Sequence, residues 1–307
     1  MIKTVYSAAL PVGEKLVVQK NRLLGLRRVG PRVAVVTGMH GDGLAGQFVA
    51  YELIRRLSES PEKLRGMVDV YPALNPLGLS ARTHGVPQFD IDLDRTFPGD
   101  AGGNLTDALA AAVFEDVLGA AACVIIQSAD SFVQEVSQAR IDEDDSDSLM
   151  RLAMQLNVRL IWERESAPTL RSTLAHALNE QGTPAIVVRL GPTARQAENE
   201  AVWIVEGILR LLRELRSWLG STIDLPAPMV SGGDDVVTLL AGESGLFLPR
   251  TECGVRVQRG QVLGLVVDSL EGVVKSELKA PSTGLLFSLR AYPVVYPGSL
   301  LARILEA

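Results

Sequence analysis

The chain has 307 residues, 47% of them apolar, enough for a sizeable core in one large and one small domain or in two of medium size. Lysine and arginine number 30 against 36 aspartates and glutamates, and the net charge of −6 excludes the clustered basic face that a nucleic-acid partner needs. No apolar run is long and uninterrupted enough to cross a bilayer, and Met1-Ile2-Lys3 does not open a secretory signal, so a cytoplasmic location with no membrane contact is expected.

From the start to about Gly220, short β-branched runs alternate with helical patterns, the signature of an α/β sheet with helices on its faces. The first strand is expected over residues 32–37. The turn Gly38-Met39-His40-Gly41-Asp42-Gly43 follows it, and an amphipathic helix over 44–57 comes next. A turn at the carboxyl end of a strand is where open α/β sheets place their chemistry, which makes His40 and Asp42 candidate functional groups. A second strand over 67–71 leads to Asn75-Pro76-Leu77-Gly78 and then to Asp92-Leu93-Asp94-Arg95-Thr96-Phe97-Pro98-Gly99. Beyond a helix over 105–118, a strand over 123–127 ends in Ile125-Ile126-Gln127-Ser128. The acidic run Asp142-Glu143-Asp144-Asp145-Ser146-Asp147 lacks the glycine and closing glutamate of a calcium loop, and reads as a solvated loop in which Asp147 caps a helix over 148–156. A strand over 159–162, a helix over 169–179 and a strand over 185–190 ending in Val188-Arg189-Leu190-Gly191 complete the alternation. A long helix over 197–219 closes this part, with Val202, Val205, Leu209, Leu212 and Leu219 at core spacing.

After the Pro-rich joint Leu225-Pro226-Ala227-Pro228, strands punctuated by glycine and without helical period mark a small all-β domain, giving an expected division into residues 1–225 and 226–307. Its segments 255–264 and 279–286 look like the barrel-sandwich hybrid of biotinyl and lipoyl carriers. The hairpin tip Asp268-Ser269-Leu270-Glu271-Gly272 carries no lysine and Lys275 falls past it, so the domain reads as a lid or an interface. Cys123 and Cys253 lack metal-ligand spacing and read as reduced structural residues, and His176 reads as a surface or packing residue of its helix. Gly38, Gly41 and Gly43 lack the lysine of one phosphate loop and the spacing of the other, and no Gly-x-Ser-x-Gly elbow is present.

Five stretches carry a resemblance: the His40 turn, Asn75-Pro76-Leu77-Gly78, the segment from Asp92 to Gly99, and the two strand ends at Gln127 and at Arg189. Together they resemble the succinylglutamate desuccinylase/aspartoacylase family of zinc carboxypeptidase-like deacylases, over nearly the whole chain. The resemblance implies a zinc-carboxypeptidase-like mixed sheet with helices on both faces, followed by the small barrel-sandwich-like domain. In that family the first turn reads His-Gly-Asp/Asn-Glu, and its histidine and glutamate hold zinc. A strand ending in Asp-Leu-His-Ser supplies the third ligand, and one ending in Glu-Leu-Gly supplies the base. Here Gly43 stands for the glutamate, Gln127 for the histidine and Arg189 for the base. Asp94 stands for the asparagine of the family's Asn-Arg pair, while Arg95 is retained.

A hydrolytic zinc needs three ligands from His, Glu, Asp or Cys and an open position for water, and only His40 survives of the inherited set. An arginine cannot take a proton from water. No metal or other cofactor is therefore expected, and the ligand-binding set is His40, Asp42, Asp94, Arg95, Gln127 and Arg189. If Asp42 and Asp94 line the same pocket, the Arg189 guanidinium is expected to pair with them in place of the metal. A rebuilt metal site would draw on His40 with Asp42, or on His84 with Asp90, Asp92 and Asp94 if that run is extended. Three functions follow from the resemblance. The first is a non-hydrolytic member that binds a small carboxylate or acyl-amino-acid-like ligand or a protein partner, as a homo-oligomer or with an active relative. The second is a metal-dependent amide hydrolase with zinc in a rebuilt site. The third is a structural subunit of a complex.

Overall fold

The computed structural model describes residues 1–26, 30–142, 146–164, 167–191, 194–223 and 226–306. Leu225, at the expected joint, and Glu143 to Asp145 of the acidic run lie outside them. Ten strands precede the β-rich end: β1 (Ile2–Ala9), β2 (Lys15–Leu24), β3 (Arg32–Val36), β4 (Met67–Tyr71), β5 (Ala122–Ser128), β6 (Val133–Glu135), β7 (Gln138–Asp142), β8 (Leu160–Arg164), β9 (Ala185–Leu190) and β10 (Met229–Ser231). All but β6 form one mixed sheet in the order β1-β2-β4-β3-β5-β9-β7-β8-β10. Its centre, β4-β3-β5-β9, is parallel, and β7 meets β9 antiparallel.

Six helices cover the sheet: α1 (Ala45–Glu59), α2 (Pro76–Ala81), α3 (Leu105–Val117), α4 (Ser146–Ala153), α5 (Leu174–Glu180) and α6 (Ala194–Glu214). Strand alternation sorts the core. Val33 and Val35 point to one side, where they join Val49 and Leu53 of α1, Leu149 and Leu152 of α4 and Ile204, Val205 and Ile208 of α6. Ala34 and Val36 point to the other, with Leu109 and Val113 of α3 and Leu174 and Leu178 of α5. The mixed sheet with helices on both faces is thus as expected. The expected map changes in detail. Asp147 lies inside the first turn of α4 and is not its cap, the helix expected over 197–219 ends at Glu214 with Val202 and Leu219 exposed and not in the core, and β1, β2, β6 and β7 are strands that the apolar pattern does not announce. The β1–β2 hairpin brings Lys20 to a buried position with Nζ 3.1 Å from Asp69 and 2.5 Å from Asp116. Burial alone would raise the Asp69 carboxyl, but hydrogen bonds from Arg22 and Lys20 hold it below its usual range.

The β-rich end contributes β11 (Val236–Leu240), β12 (Gly245–Pro249), β13 (Arg256–Val257), β14 (Val262–Asp268), β15 (Val273–Lys279), β16 (Gly284–Arg290), β17 (Val294–Val295) and β18 (Leu300–Glu306). They pair as β11-β18-β16-β13 and β15-β14-β12-β17, with Phe247, Leu263, Val266, Leu286 and Ile304 buried together. Two exchanges tie this unit to the first. Strand β6 adds antiparallel to β16, and β10 adds parallel to β8. Where they cross, Phe287 and Leu305 pack with Val136 and Leu160, and Trp162 meets the Phe287 ring edge-on at 5.6 Å. On the β14–β15 hairpin, Lys275 donates to the Ser244 carbonyl at 3.0 Å and does not project from the tip.

Candidate ligand cleft at the carboxyl edge of the sheet

The carboxyl ends of β3, β5 and β9 open on a cavity of about 410 Å³ lined by His40, Asp42, Asp92, Asp94, Gln127 and Arg189, among others. Every lining residue falls between Gly38 and Arg189, so the β-rich end does not wall this cavity. The turn that carries His40 is shaped by close backbone approach. Gly38 has φ of 63°, and a Cβ there would lie 2.7 Å from the Pro72 carbonyl oxygen. A Cβ on Gly41 would lie 1.9 Å from the Gly78 backbone. The Asn75-Pro76-Leu77-Gly78 motif supports this approach: Asn75 caps α2 by accepting from the Gly78 N–H at 2.8 Å and donates to the Gly85 carbonyl at 3.1 Å. This motif therefore positions the turn; it holds no ligand.

At the mouth, His40 and His84 stack with ring centroids 4.0 Å apart and planes 11° from parallel. His40 Nε2 sits 2.9 Å from Asp92 Oδ1, and His84 Nδ1 lies 3.2 Å from both Asp42 oxygens. The carboxylates of Asp92, 3.8 Å from Nε2, and of Asp42 raise the His84 imidazole to about 9. Burial works against the Asp92 carboxylate, yet His40 and His84 hold it far below the ordinary range. Residues 90–94 are not extended. Asp90 sits at φ 52° and residues Leu93–Arg95 form a 3-10 turn, so Asp92 and Asp94 line the cavity and Asp90 does not.

That 3-10 turn directs Asp94 inward and Arg95 outward. Asp94 Oδ2 accepts from Gln127 Nε2 at 2.9 Å, and Oδ1 accepts from the Leu174 N–H at 3.1 Å. Burial raises the Asp94 carboxyl above its usual value. The two replacements, aspartate for asparagine and glutamine for histidine, satisfy each other. Among the described residues no ion pair to Asp94 is found within 4.0 Å: Arg95 is half exposed, donates to the Thr169 carbonyl and stands 3.7 Å from Asp92.

The expected pairing of Arg189 with Asp42 and Asp94 is not what forms. Arg189 lines the cavity, but its Nε is 3.4 Å from Glu135 on β6, while Asp42 is engaged by His84 and Asp94 by Gln127. Glu135 is also 3.2 Å from Arg140 and 3.4 Å from Arg303 of β18. The reason is topological: pairing of β6 with β16 places a buried carboxylate beside the end of β9. Arg140, Arg164 and Glu135 are functional-site neighbours that the sequence reading missed. The alternation of polar residues along Gln138-Ala139-Arg140-Ile141-Asp142 was the available signal.

A zinc at the inherited position does not fit this donor set. Gly43 has no donor, and a Cβ there would meet Ser128 Cβ and Oγ at 3.0 Å. The Gln127 amide is turned onto Asp94, leaving His40 alone. The other group able to reach one ion is His40, His84 and Asp92, whose donor atoms lie within 4.8 Å of one another. Its stacked rings direct their in-plane lone pairs side by side, so binding there would require one ring to turn. His176 stays in a packing role, its Nε2 3.3 Å from Glu180.

The mixed sheet with helices on its faces and the antiparallel sheets at the C-terminal end are shared with solved structures of one family of deacylases. The chain belongs to the succinylglutamate desuccinylase/aspartoacylase family, whose catalytic domain matches residues 29–215. It is 24% identical over 310 aligned positions to the N-alpha-acetyl-L-2,4-diaminobutyric acid deacetylase of Halomonas elongata, covering 91% of this chain and 83% of that protein. The product-bound ectoine utilization protein of Ruegeria pomeroyi superposes with a TM-score of 0.84 at 19% identity, covering all of this chain and 95% of the other. A succinylglutamate desuccinylase/aspartoacylase from Rhodobacter sphaeroides gives 0.81 at 22% identity over 99% and 95% of the two chains. Among the described residues, no helix is long and apolar enough to cross a membrane.

Proposed function

We propose that this family member binds a small carboxylate-bearing ligand, of the acyl-amino-acid kind, in the cavity beside His40 without hydrolysing it. One observation carries the reading: the position of the metal-ligand histidine holds Gln127, and its amide is spent on Asp94. Arg189 at the base position adds to it, because a guanidinium stays protonated and attracts a carboxylate where a glutamate would repel it. Ligand recognition would use Arg95 at the rim and Arg189 inside, with His40 and Asp92 shaping the wall. The test is a pair of measurements on protein purified without chelator. Transition-metal content is expected well below one equivalent, with no release of amine from N-acyl amino acids, while carboxylates raise the unfolding midpoint. Stoichiometric zinc with chelator-sensitive amide cleavage would overturn the reading.

A second reading, a metal-dependent hydrolase with a rebuilt site, is favoured by the convergence of His40, His84 and Asp92. Its metal would depend on His84, so His84→Ala would abolish both metal uptake and cleavage under that reading.

A further inference from the structure

Phe132 is the large apolar side chain that the main cavity leaves uncovered. Met39 and Ile126 also line it, but each is 1% exposed, whereas Phe132 is 43% exposed. The rest of the lining is polar, charged or small. An apolar group entering the cavity therefore meets one broad apolar surface, the Phe132 ring.

That ring sits on a connection, from the end of β5 to the start of β6, that is tied at successive residues. The Ala129 N–H donates to the Leu190 carbonyl at 2.6 Å, the Phe132 N–H to Asp130 Oδ1 at 3.0 Å and the Val133 N–H to the Asp130 carbonyl at 3.0 Å. The turn after β16 completes the hold. The N–H groups of Ala291 and Tyr292 donate to the Phe132 carbonyl at 2.8 and 3.1 Å, and the Tyr292 ring meets the Phe132 ring edge-on at 5.3 Å. The Arg290 guanidinium stands 5.2 Å from the Phe132 ring centre, fixed by donating to the Tyr292 and Val294 carbonyls at 2.7 Å each. A half-exposed ring held in this way loses little further conformational freedom when a ligand covers it, and covering its remaining apolar area is favourable. Although the β-rich end does not wall the cavity, it fixes the one apolar part of the wall.

We propose that Phe132 is the specificity-determining residue of the cleft, accepting a bulky apolar or aromatic group of the ligand, with Tyr292 as its positioning residue. This deepens the proposed ligand-binding function and rests on it. The ligand class narrows from small carboxylates to acyl-amino-acid-like carboxylates that carry such a group. Contact between two aromatic rings contributes about two- to tenfold in affinity, and the apolar area covered adds to it.

The experiment is calorimetric titration of the full chain with N-acetylglycine, N-acetyl-L-phenylalanine and N-benzoylglycine, which share a carboxylate and an amide and differ in where they carry a ring. The native chain is expected to bind one or both aromatic probes about tenfold more tightly than N-acetylglycine. In Phe132→Ala that ratio is expected to fall toward one, and in Phe132→Leu, which keeps apolar volume without the ring, to an intermediate value, with a cooperative thermal transition in both. Tyr292→Ala is expected to lower the same ratio and Tyr292→Phe to keep it, whereas general damage to the fold would weaken all three probes alike. If the three probes bind the native chain equally, or if the ratio survives Phe132→Ala, the specificity assignment is overturned while the carboxylate-binding function stands. If the ratio is unchanged in Tyr292→Ala, the positioning role is overturned. If none of the three binds the native chain, the proposed function itself falls, and this inference with it.

Discussion

Removing the Gln127 amide tests whether the two family departures at positions 94 and 127 form one unit. Gln127→Leu keeps the side-chain volume but leaves Asp94 Oδ2 without its 2.9 Å donor, and only the Leu174 N–H remains on the other oxygen. Leaving a buried acceptor without its donor costs about 1–3 kcal/mol, so a loss near 2 kcal/mol is expected. In an Asp94→Asn background the Leu174 contact survives and Gln127 can turn its oxygen to the new amide. That neutral pair contributes about 1 kcal/mol. The double-mutant cycle should therefore return a coupling of about 1 kcal/mol, with Asp94→Asn alone close to neutral because it removes a buried charge. Urea unfolding followed by both fluorescence and circular dichroism measures all four corners, and agreement of the two probes checks that the transition is two-state. An equal cost for Gln127→Leu in both backgrounds would refute the mutual-satisfaction argument.

Three further outcomes are expected. Asp69→Asn leaves buried Lys20 with Asp116 alone and takes the carboxylate from Arg22, and should cost about 3–5 kcal/mol at neutral pH. Because the folded Asp69 carboxyl titrates below its unfolded value of 3.8, that stabilisation is present above this pH and lost as pH falls; native and variant stabilities should converge in acid denaturation. Glu135→Ala strands Arg140, Arg189 and Arg303 around a cavity, and a loss of about 3–5 kcal/mol in chemical denaturation is expected, with Glu135→Gln recovering no more than the hydrogen-bond share. Gly43→Glu forces a Cβ to 3.0 Å from Ser128 and should cost about 1–3 kcal/mol, with Ser128→Gly in the same chain recovering most of it in the same measurement.

Much of the fold is legible because it is local. The run Val33-Ala34-Val35-Val36, the glycine turn and the helical period of α1 announce strand, turn and helix within about thirty residues. The same pattern repeats through α6. The N-terminal hairpin is not legible from periodicity because its buried face carries a charge: Leu16 and Val18 alternate correctly, but Lys20 occupies the next core position, satisfied by Asp69, Asp116 and the Tyr71 hydroxyl from elsewhere. Strand β7 hides for the same reason, with Arg140 on Glu135 and Asp142 on Arg164. Periodicity reads apolar residues, and a core position filled by an ion pair looks like a loop.

What residues 43, 127 and 189 can and cannot donate is a property of their side chains and a matter of sequence alone. Which partner each replacement takes is a matter of tertiary structure. Gln127 meets Asp94 across 33 positions of chain, and Glu135 meets Arg303 across 168. Such pairs have no local period to betray them. Pairing of β6 with β16, not spacing, puts Glu135 beside Arg189.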